Sequence, residues 1–431
     1  MTAPLVAMGL VASISAVLLG LAAVYALLIG AFAAGYRRVL RTPTPSVSGE
    51  DLPFVSVIVP ARDEADCIGA CIDGILANDY PADRFELIVV DDLSDDATPE
   101  IVRARIDEVK GVDALHEVPV FAGFDDEEPD PEPAPGSLRL RLLQMPENLK
   151  RKRAHKKRAI EKGIAHARGD VILTTDADCA VPPTWLRTMM QPFGQVEAQA
   201  DPLSDAEPGV ALVSGPVLYT LHRPALLQIQ ALEFLGLVAV GAGAIGAGRP
   251  TLCNGANVAY RRDVFDALGG FAGIDHLTSG DDELLMQKIA DQTRWQVRFC
   301  ADPAAAVVTE PMRSLGAFVA QRARWASKGA HYPNPALVAM CVAIFAYFVL
   351  LIGATLALPF VPALGLGVAG AWALKMAAEW SLLAPFARRF GRARLLRWFL
   401  PAQLLHPVYI VAMATLGAWG GYTWKGRTVE R

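Results

Sequence analysis

The sequence predicts an α/β chain in which a mainly parallel central sheet, covered by helices, lies between apolar transmembrane helices at both ends. Three observations predict it. Between Pro53 and about Tyr332, short Val- and Ile-rich runs alternate with helical stretches, as in a sheet whose parallel strands are joined by crossover helices. From Leu5 to Ala34 no residue is charged, a run longer than the roughly 20 residues needed to cross a bilayer. A second apolar block fills the C-terminal region, and the hydrophobic fraction of 53% over 431 residues is high for a wholly soluble protein.

The first element, residues 5–35, is expected to be a transmembrane helix, followed by a linker over 36–52. A cleaved signal peptide would carry its basic residues before a shorter apolar core, whereas Arg37, Arg38 and Arg41 come after this one. Those arginines place the next region in the cytoplasm, in an integral protein whose expected host is a bacterial inner membrane. At the other end, spans are expected over 335–361, 364–386 and 398–419. The middle one contains Lys375 and Glu379, four apart on one helical face, so it is expected to pack against other helices or a cavity. The last contains Pro401 and Pro407, which favour a kink. Arg388, Arg389, Arg392, Arg394 and Arg397 set the loop between these two spans on the cytoplasmic side, in agreement with the N-terminal arginines. Four spans would leave the tail outside, although Lys425 and Arg427 prefer the inside.

The central domain is expected over 53–332. Its clearest strands are Phe54 to Pro60, Phe85 to Asp92 and Asp170 to Asp178; helices are expected over 67–76, 99–109 and 156–167. Open sheets bind ligands beyond the carboxyl ends of their strands, which here are 61–64, 91–95 and 176–178. Residues 121–137 are too acidic and proline-rich to pack and read as a surface insertion, and 197–209 is similar. Leu226 to Ala247 is apolar but contains Gln228, Gln230 and Glu233, which suggests an amphipathic helix on the membrane surface. Six scattered cysteines form no Cys-x-x-Cys pair and are expected to be reduced. The net charge of −5 combines the acidic insertion with a basic run over 150–158, and neither implies nucleic acid.

Several short motifs carry chemistry. Asp176-Ala-Asp178 follows a buried strand, where the pleat sends alternate side chains to one side. Two such carboxylates can hold Mg2+ or Mn2+ and through it a diphosphate, the alternative being an exposed turn. Asp91 and Asp92 end another strand, where one of them can accept from a nucleobase N–H, while Ser94 to Thr98 caps the next helix. Of Lys156 and Lys157, which open a helix, we nominate Lys157 to neutralise a diphosphate; a solvated basic run is the alternative. Asn254 and Asn257 flank Gly255 and offer amides to sugar hydroxyls, unless the segment is a plain turn. Asp281, Asp282 and Glu283 exceed what a helix start requires, and one can remove a hydroxyl proton as a general base. In Gln321-Arg-Ala-Arg324-Trp325, Arg324 can stabilise a departing diphosphate and Trp325 can stack on an acceptor, or the pair can anchor a membrane interface.

Together and in this order, these residues resemble the membrane-bound family-2 glycosyltransferases of the GT-A fold, a group that includes ceramide glucosyltransferases and cellulose-synthase-like enzymes. The matched pieces are Pro60-Ala-Arg62-Asp-Glu64, Asp91-Asp92, Asp176-Ala-Asp178, Gly280-Asp281-Asp282 and Gln321-x-x-Arg324-Trp325. The resemblance implies that Pro60, Arg62 and Glu64 belong to the substrate-binding residues and that Asp92 or Asp91 contacts uridine. It implies further that Asp176 and Asp178 bind diphosphate and metal, and that Asp282 is the catalytic base. The family usually has Glu-Asp where this chain has Asp281-Asp282, which leaves Asp281 as the alternative base and Glu283 as a weaker one. The implied activity is inverting transfer of a sugar from a nucleotide-sugar, UDP-linked by expectation, to a lipid or lipid-linked acceptor. A processive polysaccharide synthase shares every motif but usually has more spans. A non-catalytic membrane scaffold would be expected to have lost Asp-x-Asp or Gln-x-x-Arg-Trp.

Overall fold

The computed structural model describes residues 2–44, 51–110, 140–146, 155–194, 196, 203, 209–274, 280–327, 332, 334–419, 422–424 and 427–429. The insertion expected at 121–137, most of 197–209 and residues 150–154 of the basic run lie outside the described residues. The helices are α1 Thr2–Arg41, α2 Ile68–Leu76, α3 Thr98–Lys110, α4 His155–Ala165, α5 Trp185–Met190, α6 Ala225–Gly246, α7 Arg262–Ala267, α8 Asp281–Gln292, α9 Leu315–Ala326, α10 Pro335–Ala357, α11 Gly365–Arg389 and α12 Phe399–Trp419. The strands are β1 Val55–Ala61, β2 Phe85–Asp91, β3 Leu140–Gln144, β4 Val171–Thr174, β5 Val210–Ser214, β6 Val217–Tyr219, β7 Val258–Arg261, β8 Gln296–Phe299, β9 Val307–Thr309, β10 Tyr422–Trp424 and β11 Arg427–Val429. The chain divides into two compact units, an α/β unit (Arg38–Thr220 and Gly248–Glu310) and a helical unit (Met1–Arg37, Leu221–Ala247 and Pro311–Arg431).

In the α/β unit a seven-stranded sheet has the order β3-β2-β1-β4-β7-β5-β8. β3, β2, β1 and β4 run parallel, β7 is antiparallel to both its neighbours, and β5 pairs with β8 in parallel. Val55, Val57, Ile58 and Val59 of β1 and Leu87 to Val90 of β2 are all buried. Burial on both faces is why these strands read as continuous apolar runs without alternation. Ala61 pairs with Asp91, so β1 and β2 end level and their following loops meet.

β4 stops earlier than the sequence suggests, at Thr174. Its last residue pairs with Val258, the first of β7, and β7 is preceded by a 3-10 turn over Gly255–Asn257. Beyond Thr174, β4 therefore has no ladder partner on that side. Asp176 to Cys179 form a turn in which the Cys179 N–H donates to the Asp176 carbonyl at 3.1 Å. The two aspartates thus sit in a turn and do not alternate on a pleat.

Among the described residues four helices are long and apolar enough to cross a membrane: Met8–Arg41, Ala225–Gly246, Pro335–Ala357 and Ala393–Ala418. This association with a membrane fits the expectation, but the membership differs. The segment expected as a span over 364–386 forms α11, which is not among the four, while α6 takes a place among them. α6 was expected as a surface helix because of its polar residues, yet those are met by protein. Gln228 Oε1 accepts from Arg397 (2.6 Å) and the Trp398 indole (2.8 Å), Gln230 donates to the Met312 carbonyl at 3.1 Å, and Glu233 pairs with Arg322 and accepts from Tyr409 Oη at 3.1 Å. α1 and α6 cross at glycines, where a Cβ on Gly35 would lie 2.1 Å from the Gly243 carbonyl oxygen. Small residues at such a crossing let two backbones approach closely.

α11 turns its charges into the bundle. Lys375 is fully buried, pairs with Glu379 at 2.9 Å and donates to Gln403 Oε1 of α12 at 2.5 Å. Gln403 donates back to Glu379 at 2.5 Å, and Tyr25 Oη of α1 donates to Glu379 at 2.6 Å. Each partner satisfies a group that would otherwise be stranded in an apolar interior.

Candidate active site

The loops after β1 and β2 are laced together by the residues singled out in the sequence. Pro60 is in β1 itself. Arg62, buried just beyond it, donates to the Asp92 carbonyl at 2.7 Å and pairs with Asp63 and Asp95, each at 3.4 Å. Asp63 and Leu93 both have positive φ, of 50° and 58°, an unfavourable conformation for residues with a side chain. Hydrogen bonds fix it: the Asp63 N–H donates to Ser94 Oγ at 3.0 Å and the Asp95 N–H to Asp63 Oδ1 at 2.8 Å. The Glu64 N–H donates to Thr98 Oγ1 at 2.8 Å, and Asp96 caps α3 by accepting from the Thr98 N–H at 2.9 Å. Asp91 and Asp92 are buried at the base of this loop pair, and Asp91 Oδ1 accepts from the Ser94 N–H at 3.3 Å. Burial raises the Asp91 carboxyl above the usual range, with hydrogen bonds from Ser94 and Gln144 opposing it.

The turn after β4, the first turn of α4 and the start of α8 meet at a second cluster. Lys156 Nζ lies 2.7 Å from Asp176 Oδ1 and 3.6 Å from Asp281 Oδ2. Burial opposes the lysine's charge, but the Asp176, Asp281 and Asp282 carboxylates outweigh it and hold its pKa above the ordinary value. Asp282 is fixed from two sides: its Oδ2 accepts from the Gly255 N–H at 2.6 Å and its Oδ1 from the Glu283 N–H at 2.8 Å. Gly255 is in turn docked on β4, where its carbonyl accepts from Thr174 Oγ1 at 2.9 Å. A Cβ on Gly255 would stand 3.3 Å from both Lys156 Nζ and Asp281 Oδ2, so only glycine lets the backbone come this close without a shift. Asp281 is buried and Asp282 half-buried, so the two neighbouring acids differ in access.

The other nominated residues fall elsewhere. Lys157 is buried and donates to the Ile274 carbonyl at 2.6 Å, so the lysine that meets Asp176 is its neighbour. The helical repeat could have shown this, because Lys157 precedes buried Ile160 and Ile164 by three and seven residues and shares their inward stripe. Asn254 caps the 3-10 turn by accepting from the Ala256 N–H at 3.0 Å. Asn257 is bonded within the fold: it donates to the Pro216 and Ala305 carbonyls at 2.9 and 2.8 Å and accepts from the Trp185 indole at 2.9 Å. Gln321, Arg324 and Trp325 lie on α9 of the helical unit. There the buried Arg322 pairs with Glu233, and its guanidinium sits 4.1 Å from the centre of the Trp325 ring. The sequence motif passes over Arg322 and Glu233, because nothing local marks a partner so far away in the chain.

Asp178 is exposed and its Oδ2 accepts from Thr309 Oγ1 at 3.4 Å; Asp176 is half-buried. Among the described residues no group of three or more His, Cys, Asp or Glu side chains is arranged to hold a metal. The adjacent thiols do not change the donor set, since burial first, and then the Asp176 and Asp178 charges, push Cys71 and Cys179 well above the ordinary thiol value. They stay protonated and are poor ligands. The donors are therefore hard carboxylate oxygens, which suit Mg2+ or Mn2+ shared with phosphate oxygens.

The chain is 25% identical over 273 residues to glycosyltransferase AglE of Haloferax volcanii, covering 63% of this chain and 72% of that one. It is 25% identical over 277 residues to the probable glycosyltransferase YdaM of Bacillus subtilis, covering 64% of this chain and 55% of that one. The structure superposes on a mannosyltransferase of Pyrobaculum calidifontis, solved in complex with GDP-Man and Mn2+, with a TM-score of 0.51 at 22% identity, covering 94% of this chain and 99% of that one. That likeness gives the α/β unit the GT-A fold. Residues 56–116 match glycosyl transferase family 2. Residues 148–429, well over half of the sequence, match glycosyl transferase family 21, and the chain belongs to that family.

Proposed function

We propose that this glycosyltransferase moves a sugar from a nucleotide-sugar, UDP-linked in the first instance, to a hydroxyl of a lipid or lipid-linked acceptor with inversion at the anomeric carbon. The observation that carries the proposal is the convergence of Lys156, Asp176, Asp281 and Asp282 beyond the carboxyl end of β4. Two further facts support it: family 21 is the ceramide glucosyltransferase family, and the Pyrobaculum mannosyltransferase was solved with a nucleotide-sugar and Mn2+. The arginines of α1 and of the 388–397 segment support a cytoplasmic α/β unit.

In this mechanism Asp282 is the general base. Two backbone N–H groups hold its carboxylate in one orientation, and its half-exposed position gives an acceptor access, whereas Asp281 is buried against Lys156. The acceptor hydroxyl passes its proton to Asp282 as its oxygen bonds to the anomeric carbon from the face opposite the diphosphate, whose bond to that carbon breaks. Asp178 and Asp176 would hold a divalent cation, which when bound supplies positive charge beside the diphosphate. The loops that carry Arg62, Glu64, Asp91 and Asp92 would receive the nucleoside. Arg324 adds charge for the leaving diphosphate and Trp325 stacks on the acceptor, roles that rest on the Gln-x-x-Arg-Trp motif alone.

The test is transfer from labelled nucleotide-sugars by purified protein in detergent, with membrane lipid as acceptor and products identified by mass spectrometry. GDP-mannose belongs in the panel beside the UDP-sugars. Asp282→Asn is expected to lower transfer by about 10²–10⁴-fold, the usual scale for a lost general base, while nucleotide binding is retained. Near-normal transfer by this variant would remove Asp282 from its role.

A further inference from the structure

We infer that Lys156 is a resident counter-ion for Asp176, which a divalent cation must displace, and that Asp281 is the site to which the displaced ammonium transfers. The inference rests on the proposed glycosyltransferase mechanism with Asp176 as a donor to the cation. Lys156 Nζ stands at contact distance from Asp176, 2.7 Å, and one further step, 3.6 Å, from Asp281. The two acceptors belong to different elements, the turn after β4 and the first turn of α8, so a small swing of one flexible side chain exchanges one for the other. Gly255 borders the path, with no side chain in the way.

An ammonium and a divalent cation on the same carboxylate repel, and at partly buried positions that repulsion is poorly screened. Loading of the site therefore requires Lys156 to let go of Asp176. Its transfer to Asp281 then strengthens neutralisation of that acid and leaves Asp282 the less compensated member of the pair. Lys156 would thus keep an empty site from carrying several unpaired carboxylates, and would assign the base once the site is loaded.

Mn2+ binding to the full-length protein in detergent, without nucleotide, is measured from the free-ion electron paramagnetic resonance signal. Lys156→Met is expected to bind Mn2+ about tenfold or more tightly than the unaltered protein, on electrostatic grounds. Lys156→Arg should bind as the unaltered protein does, and Asp176→Asn should abolish the gain in the double variant. Lys156→Gln is measured alongside, so that failure of the methionine variant to fold leaves the comparison intact. Equal Mn2+ affinity in the unaltered protein and the neutral variants would overturn the inference while leaving the transfer mechanism standing. If no variant binds Mn2+, even with UDP or GDP added, the cation's part in the mechanism fails together with the inference.

Discussion

Lys156 is held by carboxylates from two elements, which fixes how its charge responds to pH. Its folded pKa is raised, so the stabilisation it contributes is complete below the ordinary lysine value and is lost only as pH climbs through the folded one. Between pH 7 and 9 that contribution is constant. A rate-against-pH profile should accordingly show no alkaline limb below pH 9 that disappears in Lys156→Arg, and finding one would contradict the assignment. At Arg322 the expected effect is structural. Replacement by alanine strands Glu233 in the helical unit and should cost about 3–5 kcal/mol, visible as a lower unfolding temperature. Lysine keeps the charge but loses the flat guanidinium over Trp325, and should recover only part of that loss. At this scale the sequence disclosed residue types better than orientations. Asp176, Asp281 and Asp282 were all legible, whereas the choice of Lys156 over Lys157 depends on which side of α4 faces the sheet.

Among the elements, β1 and β2 were readable to within a residue, because strands buried on both faces are rich in Val, Ile and Leu, with only Ser56 and Glu86 as buried polar residues ahead of the terminal Asp91. The end of β4 was not, since it is set by where β7 begins, far along the chain. Glu86 was equally hidden. It interrupts β2 with a buried charge that accepts from Ser56 Oγ (2.6 Å), Arg141 (2.8 Å) and the Arg168 N–H (2.7 Å), tying β1, β2, β3 and the approach to β4. Glu86→Ala should remove the buried carboxylate that pairs with Arg141 and Arg168 and cost about 3–5 kcal/mol, measured by denaturant unfolding with donor binding as the check on the site. The α1–α6 crossing depends on a lack of side chains. Gly243→Val should separate the two helices and lower the yield of folded protein in detergent, because a Cβ there would meet the Phe32 carbonyl oxygen at 2.5 Å.

For the molecule as a whole, apolar length predicted membrane helices at both ends but misjudged α6. Its polar residues looked like a wetted face, and only the folded chain shows arginine, tryptophan and tyrosine partners meeting them. The reverse holds for α11, where Lys375 and Glu379 were visible as a pair and their partners on α1 and α12 were not. Lys375→Met or Glu379→Gln alone should destabilise the helical unit by about 3–5 kcal/mol, and the double substitution by clearly less, since neither then strands a buried charge. A thermal-melting cycle of the four proteins measures this directly. The hydrogen bond from Tyr25 to Glu379 joins residues 354 apart. A ribosome adding about 5–20 residues per second needs roughly 20 to 70 s to travel that distance. For that interval α1 has to persist without its companion, and the acid on α11 is born already facing a phenol that has been waiting for it. Biogenesis of the helical unit is therefore closed by the last third of the chain, and a nascent protein arrested before α11 would have α6 against its first helix but no acid for Tyr25.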